Sequence, residues 1–164
     1  MYEVSVRSTF SAAHRLCDYP GDCERLHGHN WRVVVVVRAR ELDELGMVCD
    51  FRLVKRVVRE LVDEFDHTLL NDHPAFAKED PSSERLARHF FERLRPVLDA
   101  GNHWLHAVEM WETDNSAARY IRDEEPGGEG DKKKEGFHRR GRGERRGKKE
   151  KRKIVTTEST EGRK

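Results

Sequence analysis

The stretch Trp31–Ala39, with the sequence WRVVVVVRA, contains five consecutive valines between two arginines. β-Branched side chains such as valine are enriched in strands, because they pack well on a pleated surface and are restricted in helices. The stretch therefore predicts a β-strand. Its apolar run is the longest in the chain and falls far short of the roughly 20 apolar residues that a membrane helix requires. We therefore expect a soluble protein.

Two histidines lie just before this strand, in the segment Cys23–His29 (CERLHGH). If the segment is extended, the two-residue spacing directs His27 and His29 to the same side, because side chains alternate between the faces of a strand. A zinc ion used in catalysis takes three protein ligands and keeps a fourth position open, and His14 is the candidate for the third. Each histidine alone would be an ordinary polar residue, but together they predict a site for zinc or a similar divalent metal.

The N-terminal residues 2–7 alternate apolar and polar side chains, which is the pattern of a strand with one buried face. Continuing the alternation through Phe10 and Ala12 places His14 on the buried side. Residues 15–25 then lose the alternation, and the segment 18–22 (DYPGD) is typical of a turn. This loop is expected to bring Cys23 and the two following histidines to the end of the first strand.

Two helices are predicted in the middle of the chain. The first begins after Asp50, a suitable N-cap, and the second begins near Pro81–Glu84 (PSSE) and stops before Gly101. Met47–Cys49, before the first helix, is expected to complete the strand pair. Apolar residues recur at intervals of three and four in both helices, as expected for packing on a sheet. They are Phe51, Val54, Val57, Val58, Leu61, Val62 and Phe65 in the first helix, and Leu86, Phe90, Leu94, Val97 and Leu98 in the second.

Two further strands follow the helices, over Trp104–Thr113 and Ala117–Ile121, with a turn at Asn115-Ser116 between them. The resulting order is ββααββ, with strands paired at both ends of the chain. It predicts an α+β fold, in which an antiparallel sheet carries both helices on one face. Such a sheet leaves its other face and two edges exposed, which favours association into an oligomer.

Charge is distributed unevenly along the chain. Residues 1–121 contain 16 Lys and Arg against 21 Asp and Glu, whereas residues 122–164 contain 16 against 10. We therefore expect a folded domain over residues 1–121 and a basic, low-complexity, disordered tail over residues 122–164, because the tail has too little apolar surface to offset its ordering entropy. The tail could contact RNA through counterion release, but a solubilising role is favoured.

The chain has three cysteines and no apolar leader. This composition favours reduced thiols and a cytoplasmic location over a disulfide framework. Cys23 could be a buried apolar residue, but its place in a histidine-rich loop favours a base or nucleophile, because a nearby metal or imidazolium stabilises a thiolate. Cys17 in the same loop is the competing thiol. Cys49, at a predicted strand end, is expected to be structural.

Several acidic residues have both a structural and a functional interpretation. Asp66-His67 could be a charge pair at a helix C-terminus, or a carboxylate that orients an imidazole for proton transfer. Glu112 shares its strand face with apolar residues, where a carboxylate is costly unless it binds a protein donor or a ligand rich in N–H groups. Glu109 is the alternative on the opposite face. Glu84 is explained by its first-turn position beside the helix dipole.

Six separated motifs resemble those of the 6-pyruvoyl-tetrahydropterin synthase / 6-carboxytetrahydropterin synthase family. They are, in chain order, Phe10–His14, Cys23-x3-His27-Gly28-His29, Asp50-Phe51, Asp66-His67-x2-Leu70-Asn71, Pro81–Glu84 and Trp111–Thr113. The resemblance spans residues 2–121 and leaves out the tail. It implies a tunnelling fold, in which ββααββ subunits form trimeric barrels that pair into a homohexamer with active sites at subunit interfaces.

The same resemblance implies a zinc-dependent active site with three kinds of residue: metal ligands, proton-transfer groups and substrate-binding groups. Glu112 would anchor the N–H groups of the pterin, and the proton relay would come from an adjacent subunit. The implied residues are His14, His27 and His29 for the metal; Cys23 as base, with Asp66 and His67 as relay; and Glu112, Ser83 and Glu84 for the substrate.

The substrate that the resemblance implies is 7,8-dihydroneopterin triphosphate, with Arg15 and Arg25 as candidate triphosphate ligands. The gap of three residues between Cys23 and His27 resembles the branch that forms 6-carboxy-5,6,7,8-tetrahydropterin, with loss of triphosphate and acetaldehyde, on the route to queuosine or archaeosine. The alternatives are 6-pyruvoyl-tetrahydropterin and, because of Glu24, 6-hydroxymethyl-dihydropterin for folate-type cofactors. Ser82 stands where the family often has threonine, which would adjust the edge of the pterin pocket.

A non-enzymatic alternative is a zinc-stabilised RNA-binding module, which would use the basic tail. It is disfavoured because the aromatic residues are not clustered into platforms on which bases could stack.

Overall fold

A computed structural model describes residues 1–17, 20 and 22–123 of the chain, and of Asp22 only the backbone. The predicted tail, apart from Arg122 and Asp123, lies outside these residues, as do three residues of the predicted 18–22 turn. Neither helix within the described ranges has the length and apolar character that a membrane crossing requires.

The described residues form a sheet of five strands and two α-helices. The strand order is β3-β1-β2-β4-β5, and every pairing is antiparallel except that of β1 with β3. The predicted order ββααββ is therefore confirmed, with β3 as an addition. The strands are β1 (Tyr2–His14), β2 (His27–Ala39), β3 (Thr68–Leu69), β4 (His103–Thr113) and β5 (Ser116–Ile121), and the helices are α1 (Phe51–Asp63) and α2 (Ser83–Leu98).

Strand β2 lies at the centre of the sheet, between β1 and β4. Val33, Val35 and Val37 face the main core that contains residues of both helices, whereas Val34 and Val36 pack with Ala107 on the opposite face. A strand that is buried on both faces reads as a continuous apolar run rather than an alternation. This explains the five consecutive valines, and it places the helices on one face of the sheet as predicted.

Helix α1 begins after the predicted N-cap Asp50, and α2 begins within the predicted Pro81–Glu84 start, with Ser82 as its N-cap. The Asp50 carboxylate accepts a hydrogen bond from the Arg52 N–H, and the Ser82 hydroxyl accepts one from the Arg85 N–H. Such bonds satisfy backbone donors that the first helical turn leaves unpaired. The aromatic ring of Phe10 from β1 stacks on Phe90 of α2, with ring centroids 5.9 Å apart. Helix α2 packs mainly over β4 and β5, whereas α1 packs over β1.

Three local predictions were wrong. Met47–Cys49 forms no strand, because the Asp43 carboxylate accepts the Leu45 and Met47 N–H groups and holds the segment in a turn. Helix α1 ends at Asp63, although Phe65 beyond it is fully buried. Strand β2 begins at His27 rather than at Trp31, so the histidine motif is part of the sheet.

Candidate metal centre and active site

The register of β1 and β2 brings the predicted metal ligands together. His14 lies directly opposite His27, and Ala12 lies opposite His29. Because alternate residues share a face, all three imidazoles lie on the side of the sheet that carries the core. Their ring centroids are 4.6 to 5.3 Å apart. The expected strand alternation therefore continues unbroken to His14, which is only 1% exposed.

Backbone carbonyls determine the orientation of two of these rings. His14 Nδ1 lies 2.9 Å from the Pro81 carbonyl oxygen, and His27 Nδ1 lies 2.7 Å from the carbonyl oxygen of Arg25. A carbonyl oxygen only accepts hydrogen bonds, so each Nδ1 carries the proton and donates it. In a neutral ring with this tautomer, the Nε2 atom keeps its lone pair. Metal-binding histidines typically have this arrangement, since the hydrogen bond of one nitrogen fixes the other as ligand.

Glu112, at the end of β4, joins this cluster. Its Oε1 atom lies 3.1 Å from His14 Nε2 and 3.3 Å from His29 Nε2. One ligand atom from each of the four residues, His27 included, lies within 4.8 Å of the others. Burial lowers the pKa of His29, which the negative charge of Glu112 only partly opposes. The Nε2 atoms of His14 and His29 thus face a carboxylate oxygen, an arrangement that a shared cation would stabilise.

The donor set fits a divalent metal. The Nε2 atoms of His14 and His29 are buried and have no hydrogen-bond donor beside them, although such atoms are normally paired. Three imidazole nitrogens and a carboxylate oxygen are ligands that zinc accepts in tetrahedral sites. Within the described residues this is the one cluster of its kind. Glu112, which we expected to bind substrate, could therefore also bind the metal.

The Cys23 thiol is outside this set of ligand atoms. Cys23 lies half-buried in a 3₁₀ turn over Asp22–Glu24, and its carbonyl oxygen accepts the Leu16 N–H at 2.9 Å. That hydrogen bond returns the loop to the end of β1, next to His14. Cys17 is exposed, whereas Cys49 is buried and its thiol pKa is raised by burial, then by Asp50 and Asp43. Burial and a raised pKa agree with a structural role for Cys49.

Asp66 and His67 follow α1 and attach to the outer edge of β1. The Asp66 carboxylate accepts the Ser11 N–H at 2.8 Å, and the His67 N–H donates to the Ser11 carbonyl at 2.6 Å. The His67 side chain is 83% exposed, and its Nε2 lies 3.7 Å from the Asp66 carboxylate. An open groove of about 440 Å³ lies here, lined by His67 and His29 among others. The pair is therefore on the surface and outside the metal cluster.

The start of α2 lies beside the metal cluster, because the Pro81 carbonyl accepts the His14 ring proton. Ser83 is half-buried and Glu84 is exposed in the first turn of this helix. Two further residues, Asn71 and Asp80, bind the backbone that follows His14, and neither was predicted to have a role. Asn71 belongs to one of the quoted family motifs, whereas no motif or periodic pattern in the sequence pointed to Asp80.

Fold and site together define an α+β protein with a three-histidine cluster at one end of its central strand pair. Comparison with known proteins identifies the group to which it belongs. The family model of 6-pyruvoyl tetrahydropterin synthase matches residues 3–123. The chain belongs to this family, as the sequence motifs indicated, and it is an enzyme of the tetrahydropterin synthase type.

Individual relatives agree with this assignment. The chain is 41% identical over 126 residues to a 6-carboxy-5,6,7,8-tetrahydropterin synthase of Synechocystis, covering 74% of this chain and 94% of the relative. It is 34% identical over 132 residues to a 6-pyruvoyl tetrahydrobiopterin synthase of Pongo abelii, covering 72% and 90%. The 6-pyruvoyl tetrahydropterin synthase structure of Caenorhabditis elegans has a TM-score of 0.66 at 28% identity, covering 74% of this chain and 95% of that one.

Proposed function

We propose that the chain is a zinc-dependent 6-carboxy-5,6,7,8-tetrahydropterin synthase, which converts 7,8-dihydroneopterin triphosphate with loss of triphosphate and acetaldehyde. The observation that carries this proposal is the converging cluster of His14, His27 and His29 at the end of β1 and β2. The 41% identity to the Synechocystis enzyme supports the choice of product. Such a product would serve 7-deazaguanine biosynthesis, in the cytoplasm.

The three histidines would hold the metal through their Nε2 atoms. When bound, zinc would supply Lewis-acid polarisation of the oxygens on the pterin side chain. The His14 and His27 rings are fixed for this purpose by the Pro81 and Arg25 carbonyls. Their orientation therefore requires no rearrangement at the moment of binding.

Cys23 is the proposed base. The bond from Leu16 to its carbonyl holds its backbone at the end of β1, and its thiol is not one of the clustered ligand atoms. A thiolate there would remove a proton from the side-chain carbon of the substrate and return it. The 3₁₀ turn also carries Glu24, which is exposed. Glu24 is the observation that favours a second candidate, the formation of 6-hydroxymethyl-dihydropterin.

Asp66 and His67 are proposed to complete the active site of an adjacent subunit. The support is their exposure beside the open groove. A proton relay acts on a bound substrate, whereas within its own chain this pair faces solvent. The Asp66 carboxylate is fixed by the Ser11 N–H and would orient the imidazole for proton transfer. A closed homo-oligomer, which we propose to be a dimer of trimers, would place the pair near the neighbouring Cys23.

Glu112, Ser83 and Glu84 are proposed to bind the pterin. Glu112 is 27% exposed, so its carboxylate is accessible from the mouth of the metal cluster. A carboxylate accepts hydrogen bonds from the amino and ring N–H groups of a pterin. We propose that substrate would draw the Glu112 carboxylate away from the histidines, so that His14, His27 and His29 would hold the metal, three protein ligands being typical of catalytic zinc.

The test is incubation of the zinc-loaded full chain with 7,8-dihydroneopterin triphosphate, followed by mass spectrometry of the products. We expect 6-carboxy-5,6,7,8-tetrahydropterin and acetaldehyde, and a Cys23→Ala variant that still binds zinc but loses at least about 100-fold in rate, as expected for a lost general base. The Cys17→Ala variant is the matched control and should stay active. A pyruvoyl or hydroxymethyl product, or a fully active Cys23→Ala variant, would reject the proposal.

A further inference from the structure

The segment that follows the proposed metal ligand His14, residues 15–17, is held by the side-chain amide of Asn71. The Asn71 Oδ1 atom accepts the Arg15 N–H at 3.0 Å, and the Asn71 Nδ2 atom donates to the Arg15 carbonyl at 3.0 Å. A carboxamide that binds both backbone groups of one residue restricts both translation and rotation of that residue. Asn71 lies after β3, and 56 residues separate it from Arg15 in sequence.

A carboxylate and a carbonyl hold the same segment from the side of α2. The Asp80 Oδ2 atom accepts the Cys17 N–H at 2.8 Å, and the Pro81 carbonyl accepts the His14 ring proton at 2.9 Å. The carbonyl of Asp80 itself accepts hydrogen bonds from Arg85 and from the Ser82 N–H, each at 2.9 Å. The position of Asp80 is therefore fixed by the start of α2.

The hydrogen bonds of Asn71 and Asp80 begin just after the last paired residues of β1 and β2. The pairing of β1 with β2 ends at His14 and His27, so the backbone after His14 has no ladder partner in β2. Asn71 and Asp80 replace the missing sheet contacts. The Leu16 N–H in the same segment donates to the Cys23 carbonyl. The segment 14–17 thus connects the metal cluster to the loop that carries the thiol.

We propose that Asn71 and Asp80 are positioning residues for the metal centre: they fix residues 15–17 so that the His14 ring keeps its bond to Pro81 and directs Nε2 into the cluster. Neither side chain belongs to the cluster of possible ligands. The inference rests on the proposed metal-dependent function. Outer contacts that orient a ligand contribute about 10- to 100-fold to metal affinity, and we expect an effect of that size from each residue.

The experiment compares metal binding by four full-length variants and the wild type, with Zn²⁺ alone in competition with a chromophoric chelator. Asn71→Asp keeps the size and one acceptor but replaces the donor to Arg15 with an oxygen. Asn102→Asp is its matched control, because the Asn102 amide also donates to a backbone carbonyl, that of Glu41, at 3.1 Å, in a loop away from the cluster. Asp80→Ala removes the acceptor for Cys17, and Asp80→Asn retains an oxygen that can accept it.

We expect Asn71→Asp and Asp80→Ala each to weaken Zn²⁺ binding by about 10- to 100-fold, and Asn102→Asp and Asp80→Asn to bind like the wild type. The visible spectrum of bound Co²⁺ should change in Asn71→Asp and Asp80→Ala and stay unchanged in the other two variants. A general loss of stability would not change this spectrum. Wild-type Zn²⁺ affinity and an unchanged Co²⁺ spectrum in both Asn71→Asp and Asp80→Ala would overturn this inference and leave the proposed function untouched. A wild-type chain that binds neither ion would overturn the proposed function itself.

Discussion

The Glu112→Gln substitution should make the metal-free protein more stable. In the wild type, Glu112 Oε1 lies 3.1 Å from His14 Nε2 and 3.3 Å from His29 Nε2, and neither nitrogen has a hydrogen-bond donor beside it. When neither Nε2 atom carries a proton, three acceptors therefore face one another. A glutamine in the same position would direct an NH₂ group, with two protons, at the two nitrogens.

The size of the effect follows from the number of hydrogen bonds. One intramolecular hydrogen bond contributes about 0.5 to 1.5 kcal/mol, and it also relieves the cost of an unsatisfied buried acceptor. Two bonds, to His14 and His29, would raise the free energy of unfolding by about 1 to 3 kcal/mol. For a folded part of this size, each kcal/mol raises the melting temperature by about 4 °C.

The assay is thermal unfolding by circular dichroism at about pH 8, with chelator present. The matched control is Glu109→Gln on the opposite face of β4. Glu109 accepts a hydrogen bond from the Trp111 indole at 3.1 Å and lies 3.5 Å from Arg119, so glutamine offers no new partner and loses an ion pair. The reasoning is refuted if Glu112→Gln melts at or below the wild-type temperature.

The same variant distinguishes two roles of Glu112. If the carboxylate is a metal ligand, added Zn²⁺ should stabilise Glu112→Gln less than the wild type, because stabilisation by a ligand follows its affinity. If the carboxylate binds only the pterin, stabilisation by Zn²⁺ should be unchanged while KM for the pterin rises. A role in both would lower the zinc affinity and raise KM together.

Two further predictions concern assembly and pH. Inactive Cys23→Ala and Asp66→Ala chains, when co-expressed in equal amounts, should regain about a quarter of the wild-type activity if each site combines two subunits, and no recovery would contradict a shared site. Burial lowers the pKa of His29, His89 and His103 from 6.5, so the unfolded chain binds protons that the folded chain resists. The metal-free protein should therefore lose stability as the pH falls below about 6.5, by at most about 1.4 kcal/mol per pH unit for each histidine. A free energy of unfolding in denaturant that is the same at about pH 7 and about pH 5 would contradict this.

The central parts of the fold could be predicted because their residues carry periodic signals. The valine run of β2 and the stripe of α2 follow directly from burial on two faces and on one face. Strand β3 was missed because two residues, Thr68 and Leu69, are too few to show any period. The end of α1 was misplaced because Phe65 continues the apolar spacing after the helical backbone has stopped.

The candidate site was predictable to the extent that it lies on strands. His14, His27 and His29 occupy positions that strand alternation and pairing bring together. The contacts of Asn71 and Asp80 join residues that are 56 and 63 positions apart. A hydrogen bond from a side chain to a distant backbone leaves no periodic trace in the sequence, so only the folded geometry reveals it.

His67 combines two features that the packing of its own chain does not require. Its backbone has a φ of +56°, a left-handed conformation that is uncommon for residues other than glycine and costs of order 1 kcal/mol. Its side chain is 83% exposed, so burial in this chain does not repay that cost. The conformation is instead held by the Ser11 carbonyl, which accepts the His67 N–H, and by Asp66, which binds the Ser11 N–H. Strained residues that are fixed by their surroundings and exposed to solvent occur preferentially at functional sites. For His67 these features agree with the proposed role in the active site of an adjacent subunit, which the co-expression experiment tests.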